Sequence, residues 1–157
     1  NRLPPSLNIH FLLAGTNMDN PDHRKLVAEN TYADNIHLHG FLKRMPWILP
    51  NCHIAVLPSL RREGLPRGII EAMIGGAVPI VTDSGGSPEL IAEGISGYIV
   101  PPGESQPITD KILALINDRD LHARLSQGAQ QRIRNDFKVE DTAINTMALY
   151  QEVIASR

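Results

Sequence analysis

The sequence predicts an α/β fold: a parallel sheet of about five strands, flanking helices and an all-helical carboxyl-terminal region. Three observations carry this. Short, nearly continuous apolar runs recur along the first part of the chain, as strands buried on both faces should. Longer amphipathic stretches separate them. From residue 105 onward only helical periodicity remains.

The expected strands are Asn8 to Ala14, Ile36 to Leu38, Ile54 to Leu57, Val78 to Val81 and Tyr98 to Val100. Helical candidates lie between them at residues 22–30, 43–50, 67–76 and 87–93. In the tail, Ile108, Ile112, Leu115 and Ile116 share one helical face. Leu121, Leu125, Ala129, Ile133 and Phe137 repeat every fourth residue, and Val139, Ala143, Met147, Tyr150 and Ile154 form a third stripe. Asp118-Arg119-Asp120 and Asn135-Asp136 mark the expected breaks, and the stripes read as core contacts.

The chain has 157 residues, 42% of them apolar and 20% charged, enough to bury a core without metal or disulfide support. Cys52 is the single cysteine, which excludes an internal disulfide. A net charge of −2 and only seven aromatic side chains (three Phe, three Tyr, one Trp) argue against a nucleic-acid partner. No stretch reaches the roughly 20 apolar residues of a membrane span. The opening Asn1-Arg2-Leu3-Pro4-Pro5 lacks an initiator methionine and a signal-peptide core, and reads as the edge of a larger protein. The expected compartment is the cytoplasm, with peripheral attachment at the inner membrane face left open for the full-length protein.

The segment from Leu57 to Met73 carries the chemistry. A strand ends near Pro58, a loop holding Arg61, Arg62, Glu63 and Gly64 follows, and a helix opens with Pro66 at or near its first turn. Open α/β sheets bind ligands at such carboxyl-terminal strand ends. A helix start offers unpaired N–H groups and a partial positive charge, both suited to phosphate. Gly64, Leu65, Arg67 and Gly68 can supply those donors and Pro66 cannot. Glu63 and Glu71 flank the donors and suit hydroxyls at the ends of an anionic ligand. On physics alone they can equally be solvated surface charges. A second strand–turn–helix, Thr82-Asp83-Ser84-Gly85-Gly86-Ser87-Pro88-Glu89, reads first as a tight turn plus a helix cap, with Ser87 as N-cap and Pro88 as first helical residue; its paired glycines also allow positive φ or close backbone approach to a ligand.

These residues together resemble the nucleotide-sugar half of retaining glycosyltransferases of the GT-B fold, glycosyltransferase family 4, also called group 1. The matching pieces are Pro58-Ser59, Glu63-Gly64-Leu65-Pro66 through Glu71-Ala72-Met73 (the E-x₇-E motif), Gly76, Thr82, Gly85-Gly86-Ser87-Pro88-Glu89 and Gly94 to Pro102. Phe11 to Gly15 and Asn35 to Phe41 match upstream strands, so the resemblance covers nearly the whole chain.

The resemblance implies a Rossmann-like sheet and one nucleotide-sugar-binding domain over residues 1–157, with the acceptor-binding N-terminal domain outside this chain. It implies Glu63 and Glu71 as the catalytic pair: Glu71 on the ribose hydroxyls and Glu63 on the transferred sugar. Backbone N–H groups from Gly64 to Gly68 would hold the diphosphate, and Gly40 and Phe41 would face the base. The donor would be a UDP-, GDP- or ADP-linked sugar, transferred with retention to a glycan, lipid or small molecule. No cofactor or essential metal is implied, because positive dipoles and basic groups would neutralise the leaving diphosphate. The isolated chain is expected to bind weakly and transfer nothing. The alternatives are a non-catalytic nucleotide-sugar-binding module and a sugar-nucleotide epimerase or phosphorylase relative. An exposed apolar patch is expected on the last helix, residues 139–155.

The departures are specific. The family's diphosphate-gripping Arg and Lys would precede Asn1. Thr16-Asn17-Met18-Asp19-Asn20 lacks a second glycine, and Pro79 falls one residue late. His37 and His39 share a strand face and read as a structural pair rather than a metal site. His10 and His53 read as hydrogen-bonded fillers, His23 and His122 as helix surface, and Cys52 as a packed thiol.

Overall fold

The computed structural model describes residues 2–4, 6–43 and 45–156. Asn1 and Pro5 of the opening stretch, and Arg44 of the helix expected at 43–50, lie outside them. The chain forms two compact units, Asn1–Ile48 and Leu49–Arg157.

In the first unit, β1 (Phe11–Ala14) pairs in parallel with β2 (Ile36–His39), in register Phe11 with Ile36 and Ala14 with His39. Strand β1 is shorter than expected, because the Ile9 N–H turns back to Leu7 O (3.0 Å) before the ladder begins. Helix α1 (Pro21–Ala28) links the two strands; Asn20 caps it, its side chain accepting the His23 N–H at 2.9 Å. The turn after β1 solves the missing-glycine problem with Asn17, at φ 62°. Asn is among the residues that tolerate left-handed geometry best. Helix α2 (Met45–Ile48) is four residues long and passes into a 3-10 turn, Leu49–Asn51, containing Pro50. The longer helix expected here does not form, and a proline is poorly tolerated in a helix interior.

In the second unit, β3 (Ile54–Leu57), β4 (Val78–Thr82) and β5 (Tyr98–Val100) form a parallel sheet in that order. The five expected strands exist and, among the described residues, belong to two sheets, β1-β2 and β3-β4-β5. Every residue of β4 is buried, as a central parallel strand requires. Its Pro79 is accommodated by Gly97: a Cβ there would stand 2.6 Å from both the Pro79 ring and its carbonyl oxygen.

Helix α3 (Arg67–Gly75) returns from β3 to β4 and buries Ile69, Ala72 and Met73. Helices α4 (Ser105–Asn117), α5 (Arg119–Asp136) and α6 (Val139–Ala155) complete the chain. Asp118 caps α5 by accepting the Leu121 N–H at 2.9 Å. Helix α5 runs through Asn135-Asp136, so the second break falls later than expected, at Phe137-Lys138. Ile69, Met73, Val81, Leu90, Ile91, Ala129 and Ile133 form the core cluster that welds α3, β4 and α5. Ser126 Oγ donates to Gly76 O (2.6 Å) and Gln130 Nε2 to Ile74 O (3.2 Å), tying α5 to the end of α3. Helix α6 buries no residue, so its apolar stripe is the expected exposed patch and not a core contact. Among the described residues no helix is long and apolar enough to cross a membrane.

Candidate functional site

The site grows from the register of the second sheet. Leu57 lies opposite Val81, so β3 and β4 end side by side and their following loops meet. Pro58 to Pro66 lead from β3 into α3, and Asp83 to Gly86 lead from β4 into a 3-10 turn at Ser87–Leu90.

Pro66 is the cap residue of α3 and contributes no side-chain bond; Ile69 and Ile70 donate to its carbonyl at 3.0 and 3.3 Å. It thus stands one position ahead of the first turn. The N–H groups of Arg67 and Gly68 precede any carbonyl they can reach within the helix. Glycines 64 and 68 face open space: a Cβ at either would meet no heavy atom within 4 Å. Gly64, Leu65, Arg67 and Gly68, whose backbone N–H groups lie at the positive end of the helix, are all exposed residues.

The two carboxylates flank these donors. Glu63 is exposed, and its Oε1 accepts Ser59 Oγ–H at 2.7 Å. Glu71 is half-buried one turn into α3, with the exposed Arg67 Nη2 3.6 Å from its Oε1. That loose ion pair crosses solvent and adds little to stability.

The second turn braces the first. Gly85 has φ 61°, and a Cβ there would lie 2.1 Å from Glu63 O and 2.6 Å from Glu63 N. A Cβ at Gly86 would lie 3.1 Å from Gly64 O, and the Gly86 N–H donates to Glu63 O at 2.9 Å. The glycine pair thus permits close approach to the protein's own loop; on its inner side there is no room left for a ligand. Ser87 is not the expected helix cap. Gly86 takes that position, and Ser87 is fully buried with Oγ unpartnered. The helix expected at 87–93 is a single 3-10 turn, since Ile91 is already extended.

Thr82, quoted for its spacing but given no role in the sequence, is 1% exposed at the end of β4. Its Oγ1 donates to Ser59 O at 2.7 Å. Ser59 and Thr82 are functional candidates that spacing alone missed; the available signal was a hydroxyl at the carboxyl end of each of two adjacent strands.

In the first unit, Gly40 and Phe41 follow β2. Gly40 O accepts the Gly15 N–H at 3.3 Å, a Cβ at Gly40 would meet nothing within 4 Å, and Phe41 is 73% exposed. His37 pairs with His10 rather than with His39: Nε2 and Nδ1 are 3.0 Å apart and the rings stack at 5.3 Å. His23 and His122 lie on α1 and α5 as expected, and each is hydrogen-bonded. His23 Nδ1 lies 2.8 Å from Met18 O, and His122 Nε2 lies 2.9 Å from His53 O. Burial pushes the Cys52 thiol pKa up, as in a packed thiol. Among the described residues no group of three His, Cys, Asp or Glu is disposed to hold a metal ion.

With this geometry in view, known proteins are informative. The family described as glycosyl transferases group 1 matches residues 2–132. The chain belongs to that family. The Campylobacter jejuni N,N'-diacetylbacillosaminyl-diphospho-undecaprenol alpha-1,3-N-acetylgalactosaminyltransferase is 31% identical over 92% of the chain and 38% of that protein. The alpha-D-kanosaminyltransferase of Streptomyces kanamyceticus is 26% identical over 91% of the chain and 37% of the relative. Anabaena HepE, solved in complex with UDP-glucose, is 25% identical with a TM-score of 0.74 over 94% of this chain and 41% of that one. The group 1 chain described here thus spans roughly two fifths of the proteins it matches. Its α/β fold, with parallel sheets and a helical tail, is shared with these GT-B glycosyltransferases.

Proposed function

We propose that the chain is the carboxyl-terminal, donor-binding domain of a retaining family 4 glycosyltransferase, moving a hexose-like sugar from a nucleotide diphosphate to a glycan, lipid or small-molecule acceptor. The observation that carries this is the run of exposed residues at the start of α3, bracketed by Glu63 and Glu71. In this reading the N–H groups of Gly64, Leu65, Arg67 and Gly68 bind the diphosphate and stabilise it as it departs, helped by the helix dipole. Glu71 accepts from the ribose hydroxyls and Glu63 from the sugar. The UDP and UDP-glucose complexes of HepE support a nucleotide-sugar donor.

Residues 1–157 act as one donor-binding domain, and a separate N-terminal domain supplies the acceptor site. Turnover needs both, so the chain alone binds and does not transfer. In this reading the protein works in the cytoplasm, with peripheral contact at the inner membrane face where the acceptor is lipid-linked. Calorimetry with UDP, GDP and ADP on this chain tests the reading. At least one is expected to bind in the millimolar range or tighter, and binding of none contradicts it. Replacing Glu71 by Ala is expected to cost about 1.5–3 kcal/mol of that affinity, the worth of a hydrogen bond to a charged group.

A further inference from the structure

The loop that carries Glu63 is tied down more thoroughly than a solvent-facing carboxylate needs. Three contacts hold it, one from the end of β4, one within the loop itself and one from the turn after β4. Thr82 Oγ1, buried at the end of β4, donates to Ser59 O at 2.7 Å. Ser59 Oγ then donates to Glu63 Oε1 at 2.7 Å. The Gly86 N–H holds Glu63 O at 2.9 Å, while Gly85 presses against the same carbonyl with a clearance that only a missing Cβ permits. The first two contacts aim the side chain and the third pins the main chain.

An exposed hydroxyl–carboxylate bond adds little to stability, because water offers both groups the same partners. Its effect is on direction. With Oε1 taken by Ser59, Oε2 is the oxygen left to accept from a ligand, and the carboxylate's rotation about its last bond is fixed. Free rotation would otherwise have to be frozen out when ligand binds.

We propose that Ser59 is the positioning residue for Glu63: its hydroxyl, anchored through its own carbonyl by Thr82, presets the carboxylate for the sugar hydroxyls of the donor. This rests on the donor-site reading and extends it to two residues that the E-x₇-E pattern does not contain. Ser59 acts through Glu63 and touches neither the nucleotide nor the diphosphate. Its removal therefore separates sugar recognition from nucleotide recognition.

The test measures affinities of the chain for UDP, GDP and ADP, and for UDP-glucose, GDP-mannose and ADP-glucose. In the wild type the sugar adds affinity to the nucleotide that binds. Ser59→Ala is expected to leave the bare nucleotide within twofold and to reduce the sugar's increment about fivefold, the worth of one hydrogen bond. Ser59→Thr, which keeps the hydroxyl, restores the increment. Glu63→Ala, which removes the acceptor itself, abolishes the increment, and adding Ser59→Ala to Glu63→Ala changes nothing further. Thermal melts of each variant accompany the titrations, and Thr82→Val against Thr82→Ser repeats the comparison from the other end of the relay. An unchanged increment in Ser59→Ala, or equal losses for nucleotide and nucleotide sugar, overturns the positioning role while leaving the donor site standing. Binding of no nucleotide by the wild type overturns the donor site and this role with it.

Discussion

Strand β4 and helix α6 carry similarly apolar residues and meet opposite fates. All five residues of Val78–Thr82 are buried, between two neighbouring strands and under the core of α3 and α5. None of the residues of Val139–Ala155 is buried, although Met147, Tyr150 and Ile154 are as apolar as the residues of β4. A continuous apolar run reports that a segment can be covered on both faces, and its neighbours in the sheet then cover it. A helical stripe reports only which face is apolar. What lies against that face is a property of the rest of the molecule.

The largest effect that sharpens this comparison uses one substitution in two places. Met73, 0% exposed in the core of α3, should cost about 2–5 kcal/mol when changed to Ala, from lost burial and the cavity left behind. Met147, 58% exposed on α6, should change stability by no more than about 0.5 kcal/mol when changed to Ala. Urea unfolding of both variants measures the pair. Equal losses would break the distinction between the core cluster that Met73 shares with Val81 of β4 and the surface of α6.

Next in size is Gly85→Ala. The added Cβ would sit 2.1 Å from Glu63 O at a residue with φ 61°. Left-handed strain alone costs about 1–3 kcal/mol and the clash adds to it. The same variant should lose nucleotide affinity, because the braced loop must move away from the start of α3. A stable variant with unaltered binding would show that the second turn does not support the first.

The smallest effect lies in the first unit. The Arg24 guanidinium, hydrogen-bonded to Asp19 at 2.7 and 2.9 Å, lowers the Asp19 pKa and raises that of Arg24. A carboxyl lowered in the folded state contributes stability above its unfolded pKa and loses it as pH falls through the folded value. Melting temperature should therefore fall slightly less steeply on acidification in Asp19→Asn than in the wild type. The difference is small because the pair is solvent-exposed.

How much of this was legible in the sequence depends on whether a pattern was closed locally. Ile54–Leu57 and Tyr98–Val100 match their expected limits to the residue, since strand runs bounded by turn residues carry their own ends. The start of α3 at Arg67 followed from Pro66, whose fixed φ permits little else. The division into two sheets was not legible, because apolar runs do not state which strand pairs with which. The paired glycines Gly85-Gly86 fit either a tight turn or close approach to a ligand, and the sequence does not say which; the backbone that approaches them belongs to Glu63 and Gly64, 22 residues earlier in the chain. The Ser59 and Thr82 hydroxyls were visible as residues, but their alignment depends on the register of Leu57 against Val81. The His10–His37 contact depends likewise on β1 meeting β2.

The most direct test of the central claim follows backbone amides of the isotope-labelled chain by NMR during titration with UDP, GDP and ADP. The account predicts that the nucleotide that binds shifts Gly64, Leu65, Arg67 and Gly68 most, and leaves the amides of α6 where they were. Shifts confined to other parts of the chain, or none with any of the three nucleotides at millimolar concentration, would contradict it.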